Sequence, residues 1–130
     1  ACGQPADFRP LYDPAMGIRE KIHTIATEMY LAGDVSYSPT AERQMATWEQ
    51  AGLADLPVCM AKTHLSLSHD PKLRGVPSGY TLPIREVRVS AGAGFLYPLC
   101  GQMRTLPGLP SRPSFIDVDI DESGQVIGMF

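Results

Sequence analysis

The chain has 130 residues, 44% of them apolar and 19% charged, and 11 Lys and Arg stand against 14 Asp and Glu for a formal charge of -3. That length suits one compact domain whose core needs no metal or disulfide staple, and it excludes two full domains. Mild acidity without a block of like charge argues against a nucleic-acid partner, and apolar runs of only a few residues fall far short of the ~20 needed to cross a bilayer, so no membrane partner is expected.

The opening residues Ala1-Cys2-Gly3-Gln4-Pro5 carry no initiator Met and no basic or apolar leader, as in a cut or processed piece. Residues 1–13, with Pro5 and Pro10 and no sustained period, read as an extended connector from upstream sequence, and 14–130 as the folded domain. Asp13-Pro14 has the form of an N-cap followed by proline at the first helical position. Ile18, Ile22, Ile25, Ala26 and Met29 then make one apolar stripe, predicting a helix over 14–31 that Gly33 closes. Arg19, Glu20, Lys21 and Glu28 fall on the opposite, wet side.

A short extended piece at Val35–Tyr37 leads to Ser38-Pro39, a second cap, and a helix ending before Gly52 with Ala41, Met45 and Trp48 inward. Leu56–Ala61 is apolar without alternation, the pattern of a central parallel strand. Residues 63–83 are rich in Ser, Gly and Pro and read as a surface excursion. In Ile84–Val89 the valines at 87 and 89 alternate with Glu86 and Arg88, as in a half-buried strand, and Phe95–Leu99 is another strand. Pro107-Gly108, Pro110 and Pro113 form a stiff connector with a tight turn. Ile116, Val118 and Ile120 alternate with Asp117, Asp119 and Asp121 before a turn at Asp121–Gly124, predicting a terminal hairpin. The fold class is therefore α/β: a small mixed sheet, flanking helices and a C-terminal β-hairpin.

Candidate chemistry is sparse. The three aspartates imitate the start of an EF-hand loop, but Glu122 stands where Gly is needed and Gly128 where the bidentate Glu belongs, so a solvated strand face is the better reading and no metal is expected. Cys2, Cys59 and Cys100 match neither a disulfide framework nor a zinc site, which favours a reducing, cytoplasmic compartment. Ser90-Ala91-Gly92-Ala93-Gly94-Phe95 is small enough to cradle an anion, yet it lacks the Walker lysine and the third dinucleotide glycine, and a sharp strand connection explains it as well. Lys62-Thr63 follows a strand, where open α/β sheets gather ligands. Arg85, Arg88 and Arg104 raise the same question with less support, while His64 and His69 lack companions for a metal set and read as surface residues. Helical His23 has no assigned partner, and spacing reveals no catalytic triad.

Four segments carry a resemblance: Ile18–Thr27 (IREKIHTIAT), Leu56–Thr63 (LPVCMAKT), Arg85–Phe95 (REVRVSAGAGF) and Met103–Pro110 (MRTLPGLP). In order and spacing, from about Phe8 to Phe130, the chain resembles the C-terminal part of formate tetrahydrofolate ligase, also called formyltetrahydrofolate synthetase. The same module closes multifunctional one-carbon tetrahydrofolate synthases, and Thr63–His69 and Phe95–Leu99 look closer to that branch. The resemblance implies a terminal domain of a larger cytoplasmic ligase that uses ATP with magnesium to form formyl phosphate and passes the formyl group to tetrahydrofolate. It implies upstream domains of the same protein and a homo-oligomer as partners. The family's lysine loop and pterin-stacking aromatics match nothing in these residues, so no catalytic residue is assigned and neither substrate is expected to bind this chain tightly. Lys62, Thr63, Arg88 and Ser90 are the candidates for facing a shared ligand cleft. The other reading is a non-catalytic nucleotide- or folate-binding module, or one that only forms oligomers.

Overall fold

The computed structural model describes Gly3, residues 9–103 and residues 111–128. Helix α1 (Ile18–Thr24) runs on as a π-helical turn (Ile25–Met29) and is followed by β1 (Asp34–Tyr37), α2 (Pro39–Gln50), β2 (Thr81–Ser90) and β3 (Phe95–Cys100). A 3-10 turn (Ser114–Ile116) precedes β4 (Asp119–Ile120) and β5 (Val126–Ile127). β1 pairs in parallel with β2, β2 antiparallel with β3, and β4 with β5 as a hairpin, so the small mixed sheet, its helices and the hairpin are all present. Pro107-Gly108, Pro110 and Arg104 lie outside the described residues, as does most of the 1–13 connector.

Asp13-Pro14 does not open the first helix. Met16 N–H donates to the Asp13 carbonyl at 3.0 Å and Ala15 N–H to the Asp13 carboxylate at 2.9 Å, closing a separate turn. The fixed φ of proline serves the second position of a turn as well as the first turn of a helix, so one dipeptide signals both. The helix begins at Ile18, after an extended Gly17 whose N–H donates to the Glu20 carboxylate at 3.2 Å. Ile18, Ile22, Ile25 and Ala26 are buried as the stripe demands, but Met29 is 57% exposed. The π-helical turn, closed by Tyr30 N–H to Ile25 O, adds a residue and rotates Met29 off the stripe. Thr24 and Thr27 turn their hydroxyls back on the carbonyls of Glu20 and His23, both at 2.9 Å, a pattern that bends helices.

Lys21 also departs from expectation, because it is fully buried at 0% exposure. Its ammonium donates to the carbonyls of Ala54 at 2.6 Å and Leu56 at 3.2 Å and lies 5.9 Å from the centre of the Tyr12 ring. Gly33 does not cap the helix either. Leu31 takes the left-handed conformation at φ 59, and Ala32 N–H closes the end on Ala26 O. Gly33 instead lies flat against the backbone at Gly79, where a Cβ would stand 3.0 Å from a carbonyl oxygen.

Ser38 caps α2 by accepting from Ala41 N–H at 3.1 Å, and its hydroxyl donates to Arg85 O at 2.5 Å. Ala41 and Met45 enter the core with Ile18, Ile22, Val35, Leu82 and Ile84. A bulge between Ile84 and Glu86 shifts the phase of β2, so Ile84 and Val87, three apart, are both buried. Beyond the end of β1, α2 finishes the open edge of β2: Gln44 Oε1 accepts from Val87 N–H and Trp48 Nε1 donates to Val87 O, each at 2.8 Å.

Leu56–Ala61 is parallel to β3, as its composition predicts, but lies at the sheet edge with Cys59 exposed. Leu96 N–H donates to Pro57 O, Cys59 N–H to Leu96 O, Ala61 N–H to Pro98 O and Cys100 N–H to Ala61 O, all at 2.8 Å. The ladder lacks the rung that Pro98, with no N–H, would give. An apolar run specifies a strand but not how many neighbours it has.

Replacing Gly33 by Ala should destabilise the fold by about 1–3 kcal/mol, since the neighbour is backbone and cannot move aside. Gly92→Ala, whose Cβ would meet nothing within 4 Å, should leave the denaturant midpoint nearly unchanged.

Candidate functional site

Segment 57–61 and β3 run in the same direction and end together, and a cleft of about 680 Å3 opens just beyond them. Lys62, Thr63 and His64 line one side, His69, Asp70 and Lys72 another, and Gly101–Met103 the third. A second cleft of about 450 Å3 shares Gly101 and Gln102 and is bordered by Tyr37, Ser38 and Arg85. The cleft lies at the carboxyl ends of 57–61 and β3, the kind of end where open α/β sheets gather ligands, and beside the start of β2, which runs the other way.

The Lys62 ammonium is already engaged. It donates to the carbonyl of Thr63 at 3.0 Å and to that of Ser66, and stands 4.9 Å from the centre of the Tyr30 ring. Burial lowers its pKa, partly opposed by Cys100. Burial also pushes the Cys100 thiol up to about 12. An ammonium with two carbonyl acceptors and an aromatic face has little left to offer a phosphate without giving up the loop it holds.

That loop is knotted from within. Ser66 and Ser68 are buried with their hydroxyls 2.8 Å apart. Ser66 Oγ also donates to Leu73 O and accepts from Ser68 N–H, while Asp70 N–H donates to Ser68 Oγ at 3.1 Å. The Tyr80 hydroxyl lies 2.7 Å from Tyr30 O and 2.8 Å from Leu67 O, shared between the end of the π turn and the loop. His69 is half-buried rather than a surface residue: its ring is 6.5 Å from that of Tyr80, and Nδ1 is buried without a hydrogen-bond partner among the described residues. His64 is exposed.

Of the sequence candidates, Lys62 and Thr63 come together at the cleft. Arg88 and Ser90 lie toward the other end of β2: Ser90 pairs with Phe95, whereas Cys100, beside the cleft, pairs with Ile84. Six strand residues separate the two ends by roughly 20 Å. Arg88 is paired with Glu86 at 2.8 Å, and Arg85 with the same carboxylate at 3.6 Å. The glycine-rich stretch is a hairpin turn. Ala93 and Gly94 N–H both donate to Ser90 O, at 3.1 and 2.8 Å, and Gly94 has φ 73, so those amides are spent on the turn. Asp117 pairs with Arg112, Asp119 accepts from Ile120 N–H at 2.8 Å, and Asp121 caps the terminal turn. Residue type and spacing passed over Tyr30, Tyr80, Ser66, Ser68 and Gly101. A Ser-x-Ser-x-Asp run inside an otherwise open loop was the available signal, since such hydroxyls bind backbone locally.

A profile of the family described as "Formate--tetrahydrofolate ligase" matches residues 1–130. The formate--tetrahydrofolate ligase of Roseiflexus sp. is 57% identical over 129 residues, covering 99% of this chain and 23% of the relative. That of Desulforamulus reducens is 54% identical over 130 residues, 100% of this chain and 23% of the relative. The cytoplasmic C-1-tetrahydrofolate synthase of Rattus norvegicus is 51% identical over 127 residues, 97% of this chain and 14% of the relative. The resemblance thus extends to both kinds of protein, with higher identity to the two ligases. The chain spans less than a quarter of the length of the ligases it matches.

In a Cys2→Ser background, exposed Cys59 should react with a thiol reagent in the native protein at about pH 8, and buried Cys100 only on unfolding. The folded state keeps the Cys100 proton up to about 12 while the unfolded chain releases it near 9.0, so this contribution is complete below 9 and is lost as pH rises toward 12. Denaturant midpoints should fall across that window, less steeply in Cys100→Ala. Lys62→Met should speed proteolysis between residues 63 and 79, with the β1–β2 amides still protected from exchange.

Proposed function

The chain belongs to the formate--tetrahydrofolate ligase family, and on that premise we propose that it is the C-terminal domain of a ligase that joins formate to tetrahydrofolate. In this reading the whole enzyme uses ATP with magnesium to make formyl phosphate and yields 10-formyltetrahydrofolate, ADP and phosphate. The observation that carries the reading is the match along residues 1–130 to relatives more than four times as long. Phosphoryl and formyl transfer depend on positioning and on cations placed where charge develops. Lys62 is committed to two loop carbonyls, and the Ala93 and Gly94 amides to their own turn, so none of these is free for that chemistry. ATP, magnesium and tetrahydrofolate therefore belong to the enzyme as a whole, with the cationic machinery in the upstream domains. This domain supplies a wall of the cleft.

Within that wall Lys62 and Thr63 form the ligand-facing corner, with Lys62 holding the loop shape that presents Thr63. Arg88 and Ser90 would face substrate only if upstream chain packs across the β2–β3 turn. The partners are the other domains of the same polypeptide, its small-molecule substrates and further copies of the enzyme, in the cytoplasm. A separate nucleotide- or folate-binding module is the competing reading.

Activity and binding measurements on the short chain separate the two. The purified 130-residue chain should show no formate-dependent ATP cleavage, and calorimetric titration with ATP or tetrahydrofolate should be silent. Substantial turnover would overturn the division of labour, and tight binding of either ligand would favour the self-contained module.

A further inference from the structure

The cleft of about 680 Å3 collects polar side chains that no described residue engages. The Lys72 ammonium, the His64 imidazole and the Gln102 carboxamide make no hydrogen bond or ion pair among the described residues. Neither nitrogen of His69 has a partner among them, and Nδ1 is buried, which leaves an unmet polar atom in the wall. The Thr63 hydroxyl accepts from Leu65 N–H at 3.2 Å and keeps its own proton to give. Lys62 is held by the loop, and Asp70, the one carboxylate among the described lining residues, accepts from Lys72 N–H at 2.8 Å. Two lysines thus stand against one aspartate. The backbone amides here are spent: those of Leu65, Ser68, Asp70 and Lys72 donate to side-chain oxygens of the loop, and that of Gly101 to Pro83 O.

We propose that these groups receive the glutamate tail of tetrahydrofolate, with Lys72 as the carboxylate anchor and Thr63, His64 and Gln102 as donors beside it. The inference rests on the reading of this domain as a cleft wall of the ligase, and it assigns one end of one substrate to that wall. Phosphate cradles are built from backbone amides, and here those amides are already donating. Formate has only three heavy atoms and is too small to engage groups spread around a cleft of about 680 Å3. Tetrahydrofolate carries two carboxylates on a flexible tail, at the end of the molecule remote from the nitrogen that takes the formyl group. Free donors on long side chains suit such a tail, because charge-assisted hydrogen bonds form without any reacting atom having to be placed. A contact so far from the reacting nitrogen is equal in the ground and transition states, so Lys72 is a binding residue, felt in KM rather than in kcat.

Steady-state kinetics of the intact ligase test this. Lys72→Glu should raise KM for tetrahydrofolate about five-fold, the size of an exposed charge contact, with turnover regained at saturation. Lys72→Gln should raise it less, and the rise should shrink as salt is added. Tetrahydropteroate, which lacks the glutamate, should show the same KM in wild type and in Lys72→Glu, and so should ATP and formate. Arg74→Glu makes the same charge change two residues away, outside the residues that line the cleft, and should leave the tetrahydrofolate KM within about two-fold. An equal rise with tetrahydropteroate would overturn the proposal, because it would trace the effect to a distorted loop. A rise confined to ATP or to formate would overturn it as well by giving the groups to another substrate, as would an unchanged KM for tetrahydrofolate. That last result, in an intact enzyme whose 130-residue piece neither turns over nor binds ligand, would sink the tail subsite alone, whereas turnover by the short chain would sink the cleft-wall reading.

Discussion

A buried ammonium fixes where the edge strand begins. Lys21 sits inside the fold, and removing an unpaired charge from water costs several kcal/mol, so its place is sustainable only with acceptors on hand. The carbonyls of Ala54 and Leu56 provide two, the Tyr12 ring a third face, and Asp13 and Asp55 a favourable field against the burial that lowers its pKa. Those carbonyls immediately precede the segment that pairs with β3. Tyr12 contributes again, its hydroxyl accepting from Val58 N–H at 3.0 Å. Helix α1, the N-terminal turn and the start of the edge strand thus meet at one charge, and the position of Lys62 at the far end of that strand follows from it.

From that edge outward the structure is a chain of backbone commitments made by side chains. Trp48 and Gln44 complete the β2 edge, Ser38 ties α2 to the bulge in β2, and Tyr80 joins the π turn to the loop beside the cleft. At the cleft the Lys62 ammonium and the Ser66 and Ser68 hydroxyls are satisfied by the loop they hold. These bonds hold the shape of the loop and commit Lys62 to it.

Much of the fold was legible because local rules dominate it. Ser38-Pro39 gave α2 its start, the isoleucine stripe gave α1 its buried face, and the Asp-Glu-Ser-Gly run gave the hairpin its turn. What misled had a common cause: one residue pattern served two physical purposes. Asp13-Pro14 caps a turn as readily as a helix, Gly33 permits a close approach as readily as a left-handed cap, and Lys21 occupies a polar phase of the helix while its partners come from more than thirty residues away. The site was half legible. Lys62 and Thr63 stand at the cleft because strand ends do so generally, but Tyr30, Tyr80 and the Ser66–Ser68 knot depend on contacts between distant segments. The resemblance reached a family that spacing and charge could not, and the profile match along residues 1–130 bears out that family.

The dependence of the edge strand on Lys21 is the claim on which the cleft stands. Amide exchange measured residue by residue in Lys21→Met tests it, since methionine keeps the bulk and removes the charge and its donors. The account predicts that Cys59, Ala61 and Cys100, which donate across the edge pairing, exchange at least about ten-fold faster while the β1–β2 amides keep their protection. Unchanged exchange at those three amides in a folded Lys21→Met protein would contradict it.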